Sequence, residues 1–135
     1  MKFITWNDSF SVHVEEIDAQ HQWLTDIINT LYDEMNENKG KRVLEIVVES
    51  LMQYTRLHFE TEQNLMLTYS YPDYEEHKAK HDALGQQVTD WNRQLGNGET
   101  QLTVKMLEFL KSWLENHEVK DDSQLGAYLN ARGVK

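Results

Sequence analysis

Residues 74–95 read YEEHKAKHDALGQQVTDWNRQL, and this stretch decides the fold class. Its apolar and histidine positions are separated by alternating steps of three and four residues: Tyr74, His77, His81, Leu84, Val88, Trp91 and Leu95. That spacing is typical of the buried seam of a helix in an antiparallel bundle. We therefore predict a helix from just after Pro72 to about residue 95, with two imidazoles on its seam.

Helical spacing of apolar residues recurs at about 18–38, 41–67 and 102–117, and a short last helix is expected at 123–131. Asp18 is a plausible N-cap of the first of these helices. Turn-forming residues at 38–40 and 96–98 separate the segments. Because the connections are short, neighbouring helices should be antiparallel. The prediction is an all-α protein, an up-down-up-down antiparallel four-helix bundle.

The N-terminal residues follow a different period. Phe10, Val12 and Val14 alternate with polar residues, which is the pattern of an extended segment with one buried side. This predicts an extended N-terminal arm over residues 1–17, lying on a bundle formed by 18–117. With a C-terminal segment at 118–135, the whole chain, 1–135, is interpreted as a single domain.

Composition excludes several classes of protein and of site. The 135 residues carry 13 basic and 23 acidic side chains, a net charge of −10, which disfavours nucleic acid and anionic membranes as partners. No cysteine is present, so disulfides, iron–sulfur clusters and thiolate zinc sites are excluded. The sequence shows no signal peptide and no apolar run of bilayer length. A cytoplasmic location is therefore expected.

Histidines occupy the seams of all four predicted helices. His21 shares a face with Ile17 and Leu24, His58 with Tyr54, and His117 with Trp113, while His77 and His81 lie together on the third helix. In an antiparallel bundle, these positions near helix starts and ends fall at the same level. The five imidazoles should therefore converge in one layer.

Carboxylates accompany two of these histidines. Glu62 follows His58 by four residues, on the same helical face. Asp121 and Asp122 follow His117 by four and by five residues, and helical periodicity alone prefers Asp121. Burying this many polar groups without a partner would be very costly, and a metal centre supplies that partner.

The ligand types restrict the metal. Seven ligands exceed the four that one tetrahedral zinc ion takes, and magnesium and calcium prefer oxygen. Imidazole-rich sites suit zinc, copper, iron or nickel. Two carboxylates in bridging positions suggest two adjacent ions, with the histidines divided three and two. The Glu-x-x-His pairs of carboxylate-rich di-iron bundles are absent, because none of the five histidines has glutamate three residues before it.

Several motifs together resemble the hemerythrin family, specifically its single-domain bacterial members. They are Trp6-Asn7-Asp8-Ser9-Phe10, Ile17-Asp18-Ala19-Gln20-His21, His58-Phe59-Glu60-Thr61-Glu62, Tyr71-Pro72 followed by His77 and His81, and Trp113-Leu114-Glu115-Asn116-His117 with Asp122. The resemblance covers nearly the whole chain. It implies two non-heme iron ions joined by an oxo or hydroxo bridge, and reversible binding of dioxygen.

The resemblance also implies a role for each residue. His77, His81 and His117 should hold one iron, and His21 and His58 the other, which keeps an open position. Glu62 and Asp122 should bridge the two ions, with Asp121 as the alternative bridge. Leu24, Phe59, Trp113 and Leu114 match the family's apolar ligand pocket.

This chain is accordingly expected to store, deliver or sense dioxygen rather than to act as an enzyme. The alternatives are a di-iron enzyme that handles peroxide or nitric oxide, and an iron-storage protein.

Overall fold

The computed structural model describes residues 3–37, 41–97 and 103–135. These form α1 (Glu15–Glu37), α2 (Lys41–Thr68), α3 (Tyr74–Gly96), α4 (Thr103–Trp113) and α5 (Asp122–Asn130), with a π-helical segment, Leu114–Asp121, joining α4 to α5. The four longer helices pack as an antiparallel bundle, which confirms the predicted fold class. In this part of the chain, no helix has the length and apolar character needed to cross a bilayer.

Two apolar clusters divide the interior along the bundle axis. The larger cluster fills most of the bundle and contains Leu24, Tyr54, Leu84 and Leu114. The smaller cluster closes one end with Val12, Val14, Ile17, Met66, Tyr71, Leu125 and Leu129. On each helix the predicted metal ligands fall between a member of one cluster and a member of the other. The polar layer is thus enclosed by hydrocarbon above and below, where an ion is shielded from bulk water.

The first helix begins earlier than predicted. It starts at Glu15, so the arm ends at Val14, and the assignment of Asp18 as N-cap is wrong. The arm is not extended throughout, because Asp8–Phe10 forms a short 3-10 helix. Asp18 lies inside α1, where its carboxylate accepts hydrogen bonds from Ser11 Oγ at 2.6 Å and Val12 N at 2.8 Å. The carboxylate therefore anchors the arm to the helix. Val12 and Val14 are each 2% exposed and His13 between them is exposed, as the predicted alternation requires, whereas Phe10 is only partly buried.

The fourth helix, α4, ends at Trp113, and a π-helical segment continues the helical structure to Asp121, after which α5 begins close to the start predicted for the short last helix. The backbone N–H of Asp122 donates to the carbonyl of His117, five residues earlier, which is the hydrogen bond of a π-helix. The wider turn shifts the face that the following residues present. Asp122, Leu125 and Leu129 are consequently buried. The predicted end of the first helix at 38–40 and the predicted start of the fourth at 102 lie outside the described residues.

Candidate metal centre

The seven predicted ligands come together in one buried layer. None of their side chains is more than 4% exposed. The five histidines are held by α1, α2, α3 and the π-helical segment, Glu62 by α2, and Asp122 by the start of α5. The structure thus brings the predicted residues to one level of the bundle. His21 Nε2 and Asp122 Oδ2, 101 residues apart in the chain, are 2.8 Å from each other.

Asp122 lies between two groups of imidazoles. Its Oδ2 atom is 2.8 Å from Nε2 of His21 and 3.3 Å from Nε2 of His58. Its Oδ1 atom is 3.0 Å from Nε2 of His77 and 3.5 Å from Nε2 of His117. One carboxylate oxygen thus faces each group, which is the arrangement of a carboxylate able to bridge two adjacent ions.

Glu62 approaches the same layer from α2. Its Oε1 atom is 2.8 Å from Nε2 of His77, 2.9 Å from Nε2 of His81 and 3.4 Å from Nε2 of His58. All five histidines therefore direct Nε2 towards one or both carboxylates. A uniform choice of ring nitrogen is expected when the imidazoles share one central target.

Two of the histidines are oriented from behind, through Nδ1. His58 Nδ1 donates to Oε1 of Gln20 at 2.9 Å, and the Gln20 amide in turn donates to Thr61 Oγ1 at 2.9 Å. His117 Nδ1 donates to Oδ2 of Asp121 at 3.1 Å. Such outer contacts fix the ring and leave the Nε2 lone pair directed into the cluster.

The two aspartates in the π-helical region have separate positions. Asp122 is fully buried among the imidazoles, whereas the Asp121 side chain is 16% exposed and contacts the outer edge of His117. Helical periodicity had preferred Asp121 for the inner position. The π-helical turn explains the difference, since it aligns residues five apart on the inner face.

The electrostatics keep the donors in the form that metals bind. Burial, reinforced by the neighbouring imidazoles, lowers the pKa of His81, and burial lowers the pKa of His117 to about 4 despite attraction from Asp122. For Asp122, burial alone would raise the pKa. His117 and hydrogen bonds from His21, His58 and His77 outweigh it and hold the pKa well below its usual range. His81 and His117 are therefore neutral beside an ionised Asp122.

The donor set fits a metal. Single ligand atoms from His58, Glu62, His81, His117 and Asp122 all lie within 4.8 Å of one another. Among the described residues, His117 Nε2 and Asp122 Oδ1 are buried without a hydrogen bond of good geometry. Leaving such atoms unsatisfied is costly, and a cation between them would remove the cost. Nitrogen-rich ligands of this kind suit zinc, copper, iron or nickel.

The four predicted pocket residues lie around this layer. Phe59 stacks on His81 with ring centroids 4.2 Å apart, and Trp113 stacks on His117 at 4.1 Å. Leu24 and Leu114 are 0% and 1% exposed and belong to the large apolar cluster. The aromatic rings cover the faces of two imidazoles and keep that side of the layer apolar.

Sequence reasoning did not assign roles to Gln20, Tyr54 or Tyr71. Tyr54 stacks on His58 at 5.2 Å, and Tyr71 meets His77 edge-on at 6.3 Å. Burial, with added repulsion from nearby carboxylates, raises the pKa of Tyr71 to about 12. Helical spacing could have identified Gln20, next to His21, and Tyr54, one turn before His58. Tyr71 precedes α3, so only its place in the quoted motif points to it.

Comparison with known proteins gives a consistent result. A family model described as "Hemerythrin HHE cation binding domain" matches residues 12–129. A bacteriohemerythrin of Methylococcus capsulatus (strain Bath) is 30% identical over 97% of this chain and 100% of its own length. A bacteriohemerythrin of Clostridium acetobutylicum is 27% identical over 88% of this chain and 95% of its own.

Solved structures agree with the sequence matches. A crystal structure of wild-type hemerythrin superposes with a TM-score of 0.85 and 29% identity, covering 94% of this chain and 98% of that one. A hemerythrin leucine-to-alanine mutant gives a TM-score of 0.87 at 28% identity, covering 96% and 98%.

Proposed function

The chain belongs to the hemerythrin family, and on that premise we propose that it binds dioxygen reversibly at two non-heme iron ions held inside the bundle. The observation that carries the proposal is the position of Asp122, whose two oxygens face two separate groups of imidazoles. A carboxylate in that position is suited to bridging two ions rather than to binding one.

We assign His77, His81 and His117 to one iron, and His21 and His58 to the other. Glu62 and Asp122 would contact both ions. The site formed by His21 and His58 would have fewer protein ligands, so a small molecule could bind there without displacing a side chain. When bound, the two irons supply reversible two-electron exchange with dioxygen.

The protein's own residues make that exchange reversible. Burial keeps His81 and His117 neutral, so that protons do not compete for their Nε2 atoms near neutral pH. Phe59 and Trp113 cover imidazole faces, while Leu24 and Leu114 extend the apolar surface. A wall of this kind excludes water, which would otherwise promote irreversible oxidation of the site.

A second candidate function is reduction of peroxide or nitric oxide, and Tyr71 is the observation that favours it. Its raised pKa keeps the hydroxyl protonated at neutral pH, and its ring meets His77 edge-on. A buried phenol beside the cluster could donate a proton to a reduced product. Peroxide consumption by iron-loaded protein well above that of equimolar free iron, and lost in Tyr71→Phe, would support this candidate over reversible binding.

The ligand assignment is tested by iron content. We expect two irons per chain in the wild type and about one in His58→Ala, because His58 is one of only two histidines assigned to its ion. The control is His13→Asn, since His13 is exposed, lies outside the cluster and has a left-handed backbone (φ 60°) that asparagine tolerates. Retention of both irons in His58→Ala would contradict the assignment.

Reversible binding is tested by spectroscopy. Anaerobically reduced, iron-loaded protein should gain a visible absorption band on exposure to oxygen and lose it under vacuum over repeated cycles. A band that does not reverse, or no band in protein containing two irons, would overturn oxygen carriage while leaving the metal assignment intact.

A further inference from the structure

His117 is the histidine whose two ring nitrogens meet two different aspartates of the same segment. The π-helical turn brings Asp122 close to Nε2, and Asp121 accepts the proton of Nδ1 at 3.1 Å. The two aspartates are adjacent in sequence but lie on opposite edges of the imidazole. His117 is therefore held from behind by a carboxylate rather than by a neutral group.

Asp121 is itself held in place from another helix. Lys80 Nζ donates to the same Oδ2 atom of Asp121 at 2.9 Å. Lys80 lies on α3 between the ligands His77 and His81. The pair is only partly exposed, with the lysine side chain 43% and the aspartate side chain 16% accessible. The ion pair thus links α3, which carries His77 and His81, to the Nδ1 side of His117.

A histidine assigned to the other iron is oriented by a neutral group. His58 is oriented by Gln20, whose neutral amide is fixed by Thr61. An amide and a carboxylate both orient an imidazole, but the carboxylate also draws the Nδ1 proton and raises the basicity of Nε2. His117 should consequently donate more electron density to its ion than His58 does to the other.

We propose that Asp121, held by Lys80, is a positioning residue that keeps His117 protonated on Nδ1 and makes it a stronger donor to the three-histidine iron. This inference rests on the proposed function, because it assigns a role towards the iron pair. A more basic imidazole favours the more highly charged ion. Asp121 therefore stabilises the ferric state and lowers the reduction potential of the pair.

The test compares Asp121→Asn with Asp82→Asn. Asparagine keeps the shape and an acceptor oxygen but removes the charge. Asp82 is the matched control, because it pairs with Lys78 at the same 2.9 Å on the exposed surface of α3, away from the cluster. Outer-sphere partners of metal ligands typically change metal affinity 10- to 100-fold. We expect the preference for ferric over ferrous iron to fall about tenfold in Asp121→Asn, which is about 59 mV for one electron.

Two readouts separate this role from ordinary support of the fold. Redox titration of the iron-loaded protein should give a more positive midpoint potential for Asp121→Asn and an unchanged one for Asp82→Asn. Nitrogen-15 NMR of the metal-free protein should show His117 as the Nδ1–H tautomer in the wild type and a mixture of tautomers in Asp121→Ala. An unchanged potential in Asp121→Asn, or an Nε2–H tautomer in the wild type, would overturn the inference.

Lys80→Met keeps the test decisive if the Asp121 variants fold poorly. This variant leaves His117 and Asp121 intact but removes the clamp, so nitrogen-15 NMR of the metal-free protein should show a smaller fraction of the Nδ1–H tautomer of His117 than in the wild type. Failure of the proposed function is recognised separately, because wild-type protein would then lack two irons or a reversible oxygen band. Wild-type protein with two irons and an unchanged His117 tautomer in Lys80→Met would contradict only this inference.

Discussion

Acid should destabilise the metal-free protein through its buried histidines, and His117 allows the size of the effect to be worked out. Burial lowers its pKa from 6.5 to about 4 in the folded state. Between those values the unfolded chain binds a proton that the folded protein does not. The contribution of His117 to the free energy of unfolding is therefore fully present above about pH 6.5 and is lost as the pH falls towards 4.

The magnitude follows from the shift. Each pKa unit corresponds to about 1.4 kcal/mol, so the full loss from His117 is about 3 kcal/mol, of which about 2 kcal/mol is reached at pH 5. Single domains are typically stable by about 5–15 kcal/mol, so this loss is large. His81, whose pKa is also lowered by burial, adds to it in the same direction. Asp122 contributes at lower pH, because its unfolded pKa is 3.8.

The assay is urea unfolding of metal-free protein, followed by circular dichroism at about pH 7.5 and about pH 5. The wild type should lose stability between the two, and His117→Gln should lose about 2 kcal/mol less, because the substituted side chain does not titrate. Equal losses in the two proteins would refute the reasoning. Comparing the change with pH within each protein removes any constant cost of the substitution itself.

Two further predictions concern packing around the site. A Cβ added at Gly126 would lie 2.3 Å from the carbonyl oxygen of Val12, so Gly126→Ala should destabilise the protein by about 1–3 kcal/mol in urea unfolding. Gly96→Ala, with nothing within 4 Å of the added atom, should not; equal effects would contradict the close approach of arm and α5. Phe59→Ser should shorten the lifetime of the oxygenated protein severalfold by admitting water beside His81, whereas Phe59→Leu should largely preserve it. Equal lifetimes in the two variants would argue against the apolar wall.

The helix starts show where local patterns mislead. Asp18 has the residue type and position of an N-cap, yet its carboxylate accepts hydrogen bonds from Ser11 and Val12 of the arm. Aspartate is preferred at an N-cap because its side-chain oxygens can accept hydrogen bonds from backbone N–H groups. The same oxygens can instead accept hydrogen bonds from another segment of the chain. α1 consequently begins at Glu15, without that cap.

The choice between Asp121 and Asp122 for the inner position shows the same limit of local patterns. Asp121 and Asp122 are chemically identical, and a regular helix predicts the one four residues after His117. The π-helical turn instead buries Asp122 and leaves Asp121 for the outer edge of the imidazole. The assignment to Asp122 came from family spacing, since no periodicity of an α-helix contains the extra residue in the turn.

The sequence by itself determined the four-helix bundle and the layer of five histidines. Both follow from spacings of three and four residues, which are repeated along each helix and do not depend on distant contacts. Only the tertiary structure decided which of Asp121 and Asp122 is buried among the imidazoles, the anchoring of the arm by Asp18, and the clamp from Lys80 on Asp121. These depend on single side-chain contacts and on one irregular helical turn, where several residues of the same type compete and packing selects among them.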